Sequence, residues 1–211
     1  MRRFAGIITV GLAVCLALAG CSSTTTDTTP GGSKHGVTDG QSQSAVVSVP
    51  DRYAAIPISG PHEDAALAAV PAALESGLQM RKSSGQPEPD LSGLSPTFTA
   101  YLVSAISGNT LVLFEVHADG VAYPLYNPTA PADASTIMKQ DASLNSGAIL
   151  AEPTSDAEKA AAASAKAVLD TAIPGKDFTV KILGYRFNYV TGSESMLQLE
   201  INPDGGVISI S

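Results

Sequence analysis

Apolar residues recur with helical spacing most clearly between Ser155 and Ile173. Ser155 and Glu158 match a capping box, and alanine, which has the highest helix propensity, fills much of the segment. Pro174 and Gly175 follow directly and predict the end of the helix. The apolar face is narrow, and we expect it to lie on a sheet. The residues of that face are Ala161, Ala165, Val168, Leu169 and Ala172.

A second helical pattern runs from His62 to Arg81, with Pro71 near its middle. A proline inside a helix removes one backbone hydrogen bond and costs about 3 kcal/mol. We therefore expect either a kink at Pro71 or two short helices. The apolar residues with helical spacing are Leu67, Val70, Leu74 and Leu78.

Six apolar runs rich in β-branched and aromatic residues predict strands. They form two sets of three, at 97–106, 110–117 and 121–126 and at 178–190, 196–202 and 207–211. Asp119-Gly120 lies between two of these runs and is a strong hairpin signal, because both turn positions favour positive φ. The whole pattern predicts an α+β fold in which helices pack on antiparallel sheet.

The two strand sets also share an internal spacing. Phe98-Thr99 opens the first set and Phe178-Thr179 opens the second, 80 residues later. A further group recurs at an offset of 85 residues, which requires a longer first turn in the second set. This group pairs Glu115, Asp119 and Gly120 with Glu200, Asp204 and Gly205. Two tandem helix-plus-three-strand modules, at 47–130 and 150–211, would explain the spacing; the alternative is a chance likeness of two similar segments.

The start of the chain has the pattern of an export signal over residues 1–20. Arg2 and Arg3 precede an uncharged apolar run from Phe4 to Ala19. This run is slightly shorter than the roughly 20 apolar residues that a membrane-spanning helix needs. We therefore expect a signal peptide that is removed.

Leu18-Ala19-Gly20-Cys21, at the end of this run, resembles the lipobox of bacterial lipoproteins. The resemblance implies cleavage before Cys21 and a diacylglyceryl group on its thiol, so that Cys21 anchors the chain to a membrane outside the cytoplasm. Ser22 follows, in place of the aspartate that retains such lipoproteins at an inner membrane, so an outer membrane is the expected site in a two-membrane cell. The alternative is an ordinary secretory signal with a chance cysteine.

Residues 21–46 are rich in Thr, Ser and Gly and predict a disordered tether, which leaves 47–211 as the folded domain. Cys15 would leave with the signal, so the mature chain would have no second cysteine to pair with Cys21 and no cysteine nucleophile. Loss of Arg2 and Arg3 takes the formal net charge from −8 to −10. Such an acidic chain lacks the basic footprint that nucleic-acid binding requires.

Motifs for catalysis or metal binding are not apparent. The chain has no Gly-x-Ser-x-Gly elbow for a serine hydrolase. Only His62 and His117 fall in the predicted domain. His62 stands with Glu63 at a helix start, where acids complement the helix dipole, and His117 is expected to face solvent beside a turn. We expect no catalytic residue, no metal site and no cofactor.

One row of side chains is a candidate surface for a ligand or partner. Leu183, Tyr185, Phe187 and Tyr189 alternate along one predicted strand, with Arg186 and Asn188 opposite. Aromatic rows of this kind can stack on sugars or hold a partner strand. The alternative is that they form the inner face of a sheet beneath a helix.

The last third of the chain, from Ala160 to Ser211, resembles the PepSY-type envelope module. The resemblance rests on the alanine-rich helix, Ile173-Pro174-Gly175, a hairpin and a final strand after Asp204-Gly205-Gly206. It implies a noncatalytic domain that binds or inhibits a partner.

These patterns together predict an acyl-anchored envelope lipoprotein that acts as a noncatalytic binding or accessory module for a protein, peptide or glycan. One alternative is a carrier of lipids or small amphiphiles, which requires a large apolar cavity. Another is a hydrolase in which scattered acids, such as Glu115 and Glu200, converge on a pocket.

Overall fold

The structure, a computed structural model, describes residues 52–192 and 194–211. The predicted signal, the lipobox with Cys21 and the predicted tether lie outside these residues. The described chain forms a seven-stranded antiparallel sheet packed by two helices, which confirms the predicted α+β fold. The helices are α1 (Pro61–Ser83) and α2 (Asp156–Ala172). The strands are β1 (Pro96–Ser107), β2 (Thr110–Val116), β3 (Ala122–Pro124), β4 (Gln140–Asp141), β5 (Thr179–Thr191), β6 (Glu194–Ile201) and β7 (Val207–Ile210), with a 3₁₀ turn over Ala142–Asn145.

The strand order is symmetric about the centre of the sheet. It runs β3-β2-β1-β5-β6-β7, with β4 added beside β2. The first strands of the two predicted sets, β1 and β5, pair antiparallel with each other. Each set then continues outwards through two hairpins, so the two predicted halves share one sheet.

The register repeats in the same way. Tyr101 and Tyr185 lie directly opposite each other, and Glu115 and Glu200 pair with the residues that follow these tyrosines. The first hairpins have turns of equal length, since Ser107 pairs with Thr110 and Thr191 with Glu194. The expected longer turn is therefore wrong, as is the match of Phe98 with Phe178. The offset changes from 84 to 85 residues because a register shift between Tyr189 and Val190 places one extra residue, Met196, in β6.

Helix α2 forms as its pattern predicts. The Ser155 side chain accepts a hydrogen bond from the Glu158 backbone at 3.0 Å, and the Glu158 carboxylate accepts one from the Ser155 backbone at 3.0 Å. Ala165 and Leu169 are fully buried against the sheet, where α2 contacts β1, β2, β3 and β5. The helix ends before Ile173.

Helix α1 is one continuous helix through Pro71, so the predicted division into two helices is wrong. Pro71 lies on the exposed side, where water can bind the Leu67 carbonyl that loses its backbone donor. The predicted apolar face is also largely wrong, because Leu67 is 39% exposed. Smaller residues face the sheet and bring the helix close to β5 and β6. They are Ala66, Val70, Ala73 and Gly77.

Candidate functional site

The aromatic row of β5 is part of the hydrophobic core. Tyr185 and Phe187 are fully buried and Tyr189 is 5% exposed. Phe98 on β1 packs on Tyr185 and Phe187, with ring centroids 5.8 and 5.5 Å apart. These rings lie beneath the helices, so the structure corrects their assignment as a ligand or partner surface.

Leu183 leaves this row and lies on the opposite face of the sheet. The pairing of β1 with β5 shifts between Leu102 and Val103, so that Gly184 and Ile182 are paired and Leu183 between them is not. An extra residue in a strand reverses the alternation of the side chains that precede it. Ile182 therefore joins the core, and Leu183 faces the same side as Arg186.

A cleft of about 820 Å³ opens on the face of the sheet opposite the helices. Its floor consists of β2, β5, β6 and β7, and its wall consists of residues between Leu125 and Ile149. This volume is within the range of about 300–1,000 Å³ that is typical of small-molecule sites.

Apolar side chains that are exposed to water concentrate around this cleft. Among the described residues eight large apolar side chains are exposed, and five of them line the cleft. They are Tyr126, Leu144, Ile149, Val207 and Ile208. Leu144 is 73% exposed. Apolar side chains scattered singly need no explanation, whereas a cluster at a concave site marks an interaction site.

The polar part of the floor is an ion pair between adjacent strands. Arg186 Nη2 donates to Glu200 Oε1 at 2.7 Å, and Arg186 Nη1 donates to Glu115 Oε2. Ser209 Oγ donates to Glu200 Oε2 at 2.7 Å, and Gln198 Nε2 donates to Glu200 Oε1 at 3.2 Å. Burial lowers the pKa of Arg186, and Glu200 acts in the opposite direction. Glu115 and Glu200, which the repeat pattern singled out, thus converge on one guanidinium.

Behind the floor, Glu115 also contacts His117 and Arg52. The distance from Glu115 Oε1 is 2.8 Å to His117 Nε2 and 3.5 Å to Arg52 Nη2. His117 is buried, so its expected position in solvent is wrong. Its Nδ1 lies 2.9 Å from the Arg52 carbonyl, and this contact turns the ring inwards. Burial lowers the pKa of His117, although the hydrogen bond to the Arg52 carbonyl opposes this effect.

A second buried polar cluster lies on the helix side, where both helices begin. Glu63 and Glu158 each occupy the third position of a helix and are fully buried. The Tyr101 hydroxyl donates to Glu63 at 3.0 Å, and the Tyr185 hydroxyl donates to Glu158 at 2.5 Å. Ser155 Oγ links the two halves by donating to Glu63 at 2.9 Å.

The charges of this cluster are stabilised by hydrogen bonds. Burial and the Glu63 carboxylate raise the pKa of Tyr101, and burial and Glu158 raise that of Tyr185. Burial alone would raise the pKa of Glu158, but hydrogen bonds from Tyr185, Thr154 and Ser155 outweigh it and lower the pKa. These contacts hold the helix starts on the sheet, which is a structural role.

Metal binding and membrane spanning were tested on residues 52–192 and 194–211. Within them no group of three or more His, Cys, Asp and Glu side chains could hold a metal ion. None of the helices in the same residues is both long and apolar enough to cross a bilayer.

Sequence patterns missed the walls of the cleft. Leu144 and Ile149 lie in a segment without helical or strand periodicity, and Tyr126 follows the short strand β3. The one signal that they offered is aliphatic side chains in an otherwise polar segment.

No family model, curated protein or solved structure matches this chain.

Proposed function

We propose that the chain is an exported lipoprotein, anchored through acyl groups on Cys21, whose domain is a noncatalytic binding module outside the cytoplasm. The sequence of residues 1–21 supports the anchor. Two or three acyl chains hold a protein stably on a bilayer, because each buried methylene contributes about 0.8 kcal/mol. The fold would then act close to a membrane surface.

The binding site in this proposal is the cleft on the open face of the sheet. The observation that carries it is the concentration of exposed apolar side chains around an ion-paired floor. Apolar walls with a few convergent polar groups are the usual composition of a small-ligand site. Of the functions that the sequence left open, this geometry favours a carrier or sensor of amphiphiles, since the aromatic row proposed for a glycan or peptide is buried.

A hydrolase is the second candidate, because Glu115 and Glu200 converge as that hypothesis requires. However, both carboxylates are hydrogen-bonded to Arg186. A general acid or base must instead present an oxygen to the substrate. The geometry therefore supports binding better than catalysis.

A fluorescence titration with 1-N-phenylnaphthylamine, an uncharged apolar dye, tests the proposal. The protein is the full chain with Cys21→Ser, which is soluble if Cys21 is the anchor. Leu144→Ser removes an exposed apolar side chain from the cleft, and Met80→Ser removes one that is 56% exposed on α1.

We expect Leu144→Ser to weaken dye binding about tenfold, since a leucine side chain contributes about 1.5–3 kcal/mol when a ligand buries it. Met80→Ser should leave the affinity within about twofold. Equal effects of the two substitutions, or no binding of the dye, would contradict the proposed site.

A further inference from the structure

We propose that the cleft selects amphiphiles whose polar head carries no net charge. This inference rests on the proposed function and adds the chemical class of the ligand. It follows from which polar atoms in the cleft are already paired and which are open.

The charge in the cleft is balanced. Of the eighteen residues that line it, only Arg186 and Glu200 are charged, and they form an ion pair with each other. Glu115 takes a second side of the guanidinium, and Ser209 takes the second oxygen of Glu200. A charged head of either sign would therefore find no countercharge that is not already engaged.

A charged head would also be costly in this environment. The apolar side chains of the cleft replace water around it, and a charge that loses water without gaining a partner is destabilised. Competition for Arg186 or Glu200 would break an existing pair and leave the other partner buried and uncompensated. An uncharged head avoids both costs.

Carboxamide side chains provide the open hydrogen-bonding atoms. Asn145 Nδ2 donates to Ser104, and Gln198 Nε2 donates to Glu200, so their Oδ1 and Oε1 atoms remain as acceptors. Gln140 and Asn202 also line the cleft. Carboxamide oxygens accept from hydroxyl and amide donors. A head with such donors, joined to an acyl chain that lies along the aliphatic rim, matches the cleft.

The experiment measures displacement of the dye from the full chain with Cys21→Ser by 1-decanoylglycerol, decanoate and decyltrimethylammonium. These three compounds share one chain length and differ in the charge of the head. We expect the glycerol compound to bind at least about tenfold more tightly than either ion, because an uncompensated charge costs about 1–3 kcal/mol or more.

A substitution then tests whether the cleft itself sets this preference. Gln198→Lys adds a positive charge to the cleft and leaves the Arg186–Glu200 pair in place, so we expect the preference to shift towards decanoate. Gln79→Lys, the same change at an exposed position of α1, is the matched control and should shift nothing.

Equal binding of the three compounds by the unsubstituted cleft, or tighter binding of an ion, would overturn this inference and leave the proposed function intact. An unchanged preference in Gln198→Lys would overturn it as well. If neither the dye nor any of the three compounds binds, the proposed function itself fails.

Discussion

Tyr101 and Tyr185 lie directly opposite each other on the two central strands, and each donates its hydroxyl to a buried glutamate at the start of a helix. The two donor–acceptor pairs are equivalent under the repeat of the sheet register. Ser155 connects them by bonding Glu63. The centre of the fold is thus a polar lock inside an apolar core, and it holds both helices on the same face.

Tyr185→Phe should destabilise the fold by about 1–3 kcal/mol, because it removes a donor from a buried carboxylate. Tyr189→Phe is the matched control: its ring is also buried, but its hydroxyl has no hydrogen bond among the described residues. Urea unfolding at neutral pH measures both. Equal free energies of unfolding for the two variants would contradict the role given to Tyr185.

Ser155→Ala should cost about 1–3 kcal/mol, since it removes both the cap of α2 and a donor to Glu63. Glu63 Oε2 already has no hydrogen-bond partner among the described residues, so the loss at Oε1 is not compensated. Thr171→Ala, at an exposed site on the same helix, should change stability by less than about 0.5 kcal/mol. A thermal unfolding series compares them, and a Ser155→Ala variant as stable as Thr171→Ala would refute the link.

Stability should fall in acid partly because of Glu158. Its pKa is lower in the folded chain than its ordinary value of 4.5. A carboxylate of this kind stabilises the fold above the unfolded pKa, and that contribution is lost as pH falls through the folded pKa. Glu158→Gln should therefore show a shallower loss of stability below about pH 5.

Asp156→Asn, at a fully exposed position of the same helix start, is the control for this pH dependence. It should retain the slope of the parent protein. The test is a set of urea unfolding curves between neutral and acid pH, and parallel pH profiles for the parent and Glu158→Gln would exclude Glu158 as a source of the slope.

Periodicity predicted the helices and strands because their spacing reflects which faces are buried. It did not predict the parity change at Leu183, since a single unpaired residue in a strand leaves no mark on composition. The inward turn of His117 likewise depends on Arg52, which is distant in sequence. Pro71 was read correctly as costly, but its exposed side lets the helix continue.

The cleft could be predicted only in part. Glu115 and Glu200 emerged from the repeat, and their convergence follows from equivalent positions on β2 and β6. The wall follows no period, because Leu144 and Ile149 are placed by tertiary contacts of a long connection. Sites built partly on such connections are beyond pattern reading.

Cys21→Ser should release the protein from membranes, since the proposed anchor is its only acylated residue. Cys15→Ser, a change of the other cysteine within the predicted signal, is the matched control and should stay with the membrane fraction. Fractionation of cells and intact mass measure the outcome. Membrane association of Cys21→Ser, together with a wild-type mass that lacks acyl groups, would contradict the anchor.

The most direct test of the cleft as the binding site is photolabelling with an uncharged fatty alcohol that carries a diazirine in its chain, followed by peptide mapping. The account predicts labels on residues 140–149 and 207–209, which form the wall and one side of the floor. Labels distributed according to exposure, or concentrated on α1 around Met80, would contradict it.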